Sequence, residues 1–180
     1  MLEVFCGPMM SEKSTTLYRY VSRALRAGKT VDVVIPSVDT RSEGQIRTHS
    51  GMNLASLGVK PRIVASSYEM YTELPDPRPD LLVIEEAQFF DIDLPLWVEK
   101  LLPTKTHVVA AGLDLTSEGY PFGSMGHLMS LADRVVKLTA ICACGAEATR
   151  TRCTVEKNGE VLVGGSGKYV PMCLRCWSKR

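Results

Sequence analysis

Residues 7–14 read GPMMSEKS and stand between a short apolar run, Leu2 to Cys6, and a stretch with Leu17, Tyr18, Val21, Ala24 and Leu25 at helical spacing. Strand, glycine-led loop and helix in immediate succession leave few folds open. Gly7, Lys13 and Ser14 occupy the fixed positions of the phosphate-binding pattern GxxxxGK[ST], and Glu12 stands where the pattern has its second glycine. In such a loop, here Gly7, Pro8, Met9, Met10, Ser11, Glu12, Lys13, Ser14 and Thr15, backbone N–H groups and the helix N-terminus cradle phosphate. Lys13 then reaches the β/γ oxygens, and the Ser14 hydroxyl is a magnesium ligand. Glu12 is the departure that matters, because a carboxylate about 4 Å from a phosphate oxygen costs roughly 4 kcal/mol at an effective dielectric of about 20. Turned toward water, the same charge is screened.

The pattern continues as alternating strands and helices. Gly28 closes the first helix, and Val31 to Pro36 reads as a second buried strand, completing a βαβ unit. Residues 37–57 carry Asp, Ser, Thr, Gly and Asn without periodicity, which predicts a long functional connection. Strands are expected over Arg62 to Ala65, Leu81 to Ile84 and Thr106 to Gly112, with helices over Tyr68 to Leu74, Leu94 to Leu102 and Gly123 to Ala132. This alternation predicts an α/β fold, a RecA-like, largely parallel sheet in three layers, with ligands beyond the carboxyl ends of the strands. Past Ile141 cysteines, glycines and short β-like runs replace helices, so the chain divides into an ATP-binding domain, residues 1–140, and a small zinc-ribbon-like β lobe, residues 141–180.

Two further groups carry chemistry. The apolar strand of LLVIEEAQFF runs straight into Glu85 and Glu86, where one carboxylate can serve magnesium and the other can accept a proton. Cys142 and Cys144 form a C-x-C knuckle and Cys173 and Cys176 a C-x-x-C knuckle, enough thiolates to close a tetrahedral, structural zinc site. Cys6 and Cys153 lie outside this set and read as packing residues. Of the histidines, His107 falls in an apolar strand, His127 on a helix surface, and His49 in the long connection where it could touch ligand.

Composition narrows the partners. With 21 basic and 20 acidic residues among 180, net charge does not advertise a nucleic-acid or acidic-membrane partner. The N-terminus lacks the features of a secretory signal and no run of about 18 apolar residues occurs, so a cytoplasmic protein is expected. Arg150, Arg152, Lys168, Arg175, Lys179 and Arg180 place charge around the cysteines, but the aromatic interleaving of a single-strand nucleic-acid platform is thin.

GPMMSEKST, IPSVDTR, LLVIEEAQFF, YPFG, VVKLTAICACG and VLVGGSGKYVPMCLRCW resemble, in this order and across almost the whole chain, the motifs of cytosolic-type (type II) thymidine kinases. The resemblance implies transfer of the γ-phosphate of ATP to the 5′-hydroxyl of thymidine or deoxyuridine, with magnesium, by a homotetramer whose second lobe carries zinc. It implies Glu86 as the base, Glu85 at a position that is usually a magnesium-associated aspartate, Gln88 and Phe89 near the nucleoside, and Met9 lining the base pocket. Asp39 and Arg41 match a D-x-R element near the phosphates. Leu162, Val163, Gly164, Gly165 and Tyr169 match the loop that closes over thymine. Ser117 and Glu118 depart from the usual phenylalanine and arginine, which implies weaker stacking on the base. Two readings stay open: an active kinase that tolerates Glu12, or a phosphate-site-impaired member acting as a nucleoside-binding or regulatory subunit.

Overall fold

The computed structural model describes residues 1–38, 53–155 and 167–179. Its centre is a six-stranded parallel sheet of β1 (Leu2–Cys6), β2 (Val31–Pro36), β3 (Arg62–Val64), β4 (Leu81–Ile84), β5 (His107–Gly112) and β6 (Arg134–Lys137), in the order β3-β2-β4-β5-β1-β6. The α/β reading of the sequence holds.

Both faces of the sheet are covered because the central strands are apolar on both sides. One face receives α1 (Lys13–Arg26), whose Leu17, Val21 and Ala24 recur at the helical period and meet Phe5, Val33, Val83 and Val109. The other receives α2 (Ser67–Thr72), α3 (Leu94–Glu99) and α4 (Met125–Leu131), with Met70, Leu94, Val98 and Leu128 packed on Val4, Leu82, Ile84 and Val108. Three layers result.

Two differences from the sequence reading have plain causes. The helix expected over Leu94 to Leu102 ends at Glu99, and turns carry the chain on to Thr104, whose N–H reaches the Leu101 carbonyl. Strand β6 was not expected: Arg134, Val135 and Lys137 are exposed, since this is the sheet edge, and a two-sided apolar run cannot mark it. Its pairing with β1, Glu3 opposite Arg134, comes from the far end of the chain.

The large sheet ends with Lys137, and two small antiparallel pairs follow. They are β7 (Ala140–Ile141) with β8 (Glu147–Ala148), and β9 (Arg150–Cys153) with β10 (Tyr169–Met172). Helix α5 (Leu174–Trp177) closes this part. Its core is Ala140, Cys142, Ala148 and Cys173, with Met172 and Cys176 packed against them.

Candidate active site

The loop at the carboxyl end of β1 is shaped by backbone conformations that few residues adopt. Gly7 has φ +147°, and a β-carbon there would lie 2.3 Å from the Leu138 carbonyl oxygen, so β1 and the chain after β6 close on the loop from both sides. Among the described residues only Met10, Glu12 and Glu86 combine a side chain with positive φ. Each costs of order 1–3 kcal/mol, and such strain clusters where function over-determines the backbone.

Glu12 sits just ahead of α1 at φ 62°, ψ 27°, with its carbonyl accepting the Thr16 N–H at 3.0 Å. Its side chain is exposed. The carboxylate is thus open to solvent screening in the unliganded loop, and the left-handed backbone adds a strain cost.

Lys13 folds back over the loop. Its Nζ donates to the carbonyls of Pro8 (2.7 Å) and Gly7 (3.2 Å) and to Ser11 Oγ (3.3 Å). Burial lowers its pKa, and the carboxylates of Glu86, Glu85 and Asp114 oppose that fall. The ammonium thus faces three acids from two strand ends, a charge arrangement suited to a bound anion together with a cation.

Beyond β4 the two glutamates have different surroundings. Glu85 is buried and accepts the Ser14 hydroxyl at 2.6 Å. Glu86, half-buried, accepts from Gln88 Nε2, while Gln88 Oε1 accepts the Leu113 N–H at 3.0 Å. Gln88 is itself buried and hemmed in: a β-carbon on Gly112 would lie 2.4 Å from its Oε1, and one on Gly123 2.3 Å from its carbonyl oxygen. Gln88 therefore aims Glu86 from a position fixed by β5 and by the YPFG turn. Phe89 meets Phe122 edge to face at 5.5 Å, an apolar wall beside the acids.

The structure thus brings Lys13, Ser14, Glu85, Glu86, Gln88 and the loop residues together. Met9 is joined to β9, its N–H donating to Thr151 Oγ1 at 3.0 Å. Tyr169 begins β10, opposite Cys153. Asp39, Arg41, His49, Leu162, Val163, Gly164 and Gly165 lie outside the described residues.

Sequence reasoning missed Asp114 and Thr151. Asp114 is buried just past β5, with Oδ2 3.3 Å from Lys137 Nζ, and it helps burial push the Cys6 thiol up to about 11. An acid following an apolar strand was the available signal, the same one that singled out Glu85. Nothing local marks Thr151.

The sulfurs of Cys142, Cys144, Cys173 and Cys176 all lie within 4.8 Å of one another, Cys144 and Cys173 at 3.7 Å. Bonds of about 2.3 Å to a central ion give a tetrahedral edge of about 3.8 Å, so these four soft donors fit a metal such as zinc. Backbone N–H groups of Cys144 and Cys173 draw Cys142 down to about 6, while hydrogen bonds that the Cys176 thiol donates to the neighbouring sulfurs, with burial and the charge at Cys142, push Cys176 up to about 12. Sulfurs this close compete for negative charge, and a divalent cation relieves that competition.

A glycine-led loop, its lysine and serine facing acids at a nearby strand end on a parallel sheet, defines a P-loop α/β protein. The chain belongs to the thymidine kinase family: the family model described as "Thymidine kinase" matches residues 1–177. It is 36% identical over 180 residues to thymidine kinase of Bacteroides fragilis, covering 99% of this chain and 87% of that one. To thymidine kinase of Bacteroides thetaiotaomicron it is 36% identical over 178 residues, covering 98% and 86% respectively. No helix among the described residues is long and apolar enough to cross a membrane.

Proposed function

We propose that this chain is a thymidine kinase that transfers the γ-phosphate of ATP to the 5′-hydroxyl of thymidine or deoxyuridine. The observation that carries the mechanism is the hydrogen-bonded set spanning the loop and the strand end: Ser14 on Glu85, and Glu86 held by Gln88. In this reading Gly7 to Thr15 wrap the phosphates, Lys13 balances their charge, and Asp39 and Arg41 approach them. Glu86 takes the proton of the 5′-hydroxyl as the oxygen attacks phosphorus. Its half-buried carboxylate, locked by Gln88, is set to receive a proton along one direction.

The hydroxyl of Ser14 and carboxylate of Glu85, 2.6 Å apart, are the hard oxygen donors magnesium prefers. These two residues would hold magnesium, which would supply positive charge against the phosphates of ATP. Met9, Gln88, Phe89, Tyr169 and the segment Leu162 to Gly165 form the nucleoside side. The four cysteines hold a structural zinc; a division at about residue 140, a homotetramer and a cytoplasmic location complete the proposal.

The test is magnesium-ATP-dependent phosphorylation of thymidine and deoxyuridine by this chain, with Lys13→Ala as the blank. Glu86→Gln is expected to lower kcat by about 10²-fold or more while thymidine binding stays near that of the parent. Preserved turnover removes Glu86 as the base. The second reading, a phosphate-impaired binding subunit, rests on Glu12 and Ser117, and Lys13, Ser14, Glu86 and Tyr169 stand against it. Turnover that appears only in Glu12→Gly restores it.

A further inference from the structure

The segment from Leu113 to Phe122 is a hook. Its feet stand on the acid site: the Leu113 N–H is on Gln88 Oε1, Phe122 N–H is on the Asp114 carbonyl at 3.1 Å, and the Phe122 ring is against Phe89. Its stem is closed by the Leu115–Pro121 bridge and by the Thr116 N–H on the Tyr120 carbonyl at 2.8 Å. Its tip, Ser117 to Gly119, reaches α5 of the cysteine lobe. There the Trp177 indole N–H donates to the Ser117 carbonyl at 3.2 Å. The ring lies over Gly119, where φ is +92° and a β-carbon would come 2.9 Å from the indole.

Trp177 is itself held from behind. It follows Cys176 directly, its N–H bonds the Cys173 carbonyl at 2.9 Å, and the Arg152 guanidinium donates to the carbonyls of Cys176 and Trp177. The knuckle Cys173–Cys176 and the tip of the hook are therefore joined through one side chain. The phosphate side has a separate tie to the same lobe, Thr151 on the Met9 amide.

We propose that Trp177 is a positioning residue for the acceptor side of the site, holding the hook, and through it the Phe89–Phe122 wall, in register with the cysteine knuckle. The proposal rests on the kinase reading above. Because the indole replaces no group on the phosphate side, its loss moves the acceptor's KM and leaves that of ATP alone. Glycine at 119 is what allows so large a ring to lie across the turn.

Trp177→Phe keeps the apolar ring and removes the donor. It is expected to raise the KM for thymidine by about threefold to tenfold, the worth of one net hydrogen bond, with kcat and the KM for ATP within about twofold of the parent. An unchanged KM for thymidine overturns the proposal. So does an equal rise in both KM values with a fall in kcat, which marks general damage. A second measurement does not use turnover: the chain has two tryptophans, Trp97 and Trp177, so Trp97→Phe leaves the indole of interest as the reporter. Its emission should shift when thymidine is added, stay put with ATP alone, and move toward red when a chelator strips the cysteine knuckle. No response to thymidine or to chelator sinks the proposal. If the unaltered chain fails to phosphorylate thymidine, the kinase reading falls on that ground, and the chelator response still decides the tie between knuckle and hook.

Discussion

Met10, Glu12 and Glu86 hold left-handed backbone with side chains attached, at the two places where a phosphate loop and a base are expected. The strain is tolerated because the surroundings leave no alternative: α1 begins right after Glu12, and Glu86 turns sharply between buried Glu85 and buried Ala87 and Gln88. Glu12→Gly relieves a left-handed conformation without removing a side-chain contact that caps the helix. It is expected to stabilise the chain by about 1 kcal/mol, seen as a higher urea midpoint at unchanged slope. A lower midpoint shows that the carboxylate makes a favourable contact instead.

At the scale of elements, one glycine shows how packing constrains a turn. Gly123, at φ +52°, lets the chain after the hook pass against the Gln88 backbone. Gly123→Ala forces a β-carbon onto the Gln88 carbonyl and is expected to cost about 2 kcal/mol or more in chemical denaturation, with activity falling alongside because Gln88 aims Glu86. Helix α1 makes the complementary case. Leu17 is fully buried between α1 and the sheet, and Leu17→Ala is expected to destabilise by about 2–5 kcal/mol while the loop's own residues are untouched. Kinetic constants of the folded fraction close to those of the parent check that this loss is one of packing alone.

At the scale of the whole molecule, a polar cluster fastens β1, α1, β5 and β6 at the end of the sheet away from the site. Buried Glu3 accepts from Tyr20 (2.8 Å) and Arg134 (2.9 Å), and His107 Nε2 lies 3.1 Å from its other oxygen, poorly aligned for a hydrogen bond. Burial lowers the His107 pKa, outweighing the attraction of Glu3. The unfolded chain therefore binds a proton at this histidine at a pH where the folded chain does not. Stability from this source is whole above about pH 6.5 and falls as pH drops through that value toward the folded pKa. His107→Gln is expected to flatten the decline of Tm between about pH 7 and 6; an unchanged slope assigns the decline to other groups. The cysteine cluster adds the second molecular prediction: chelation should release about one zinc per chain and loosen the strands and helix around the four cysteines first, since ligand energy there is folding energy. Metal analysis finding none refutes the four-thiolate site.

What the sequence determined by itself was the local grammar: a strand, glycine loop and helix, acids at the end of an apolar strand, and paired cysteines. These are legible because a few adjacent residues carry both the backbone geometry and the chemistry. The edge strand β6 was not legible, because its residues are exposed and only β1 defines it. The bonds that assemble the site were equally hidden. Gln88 meets Leu113 across 25 positions, Ser14 meets Glu85 across 71, and Met9 meets Thr151 across 142. The tertiary structure also decided that Glu12 faces water. No pattern in the chain records that exposure, because it is set by what packs around the residue.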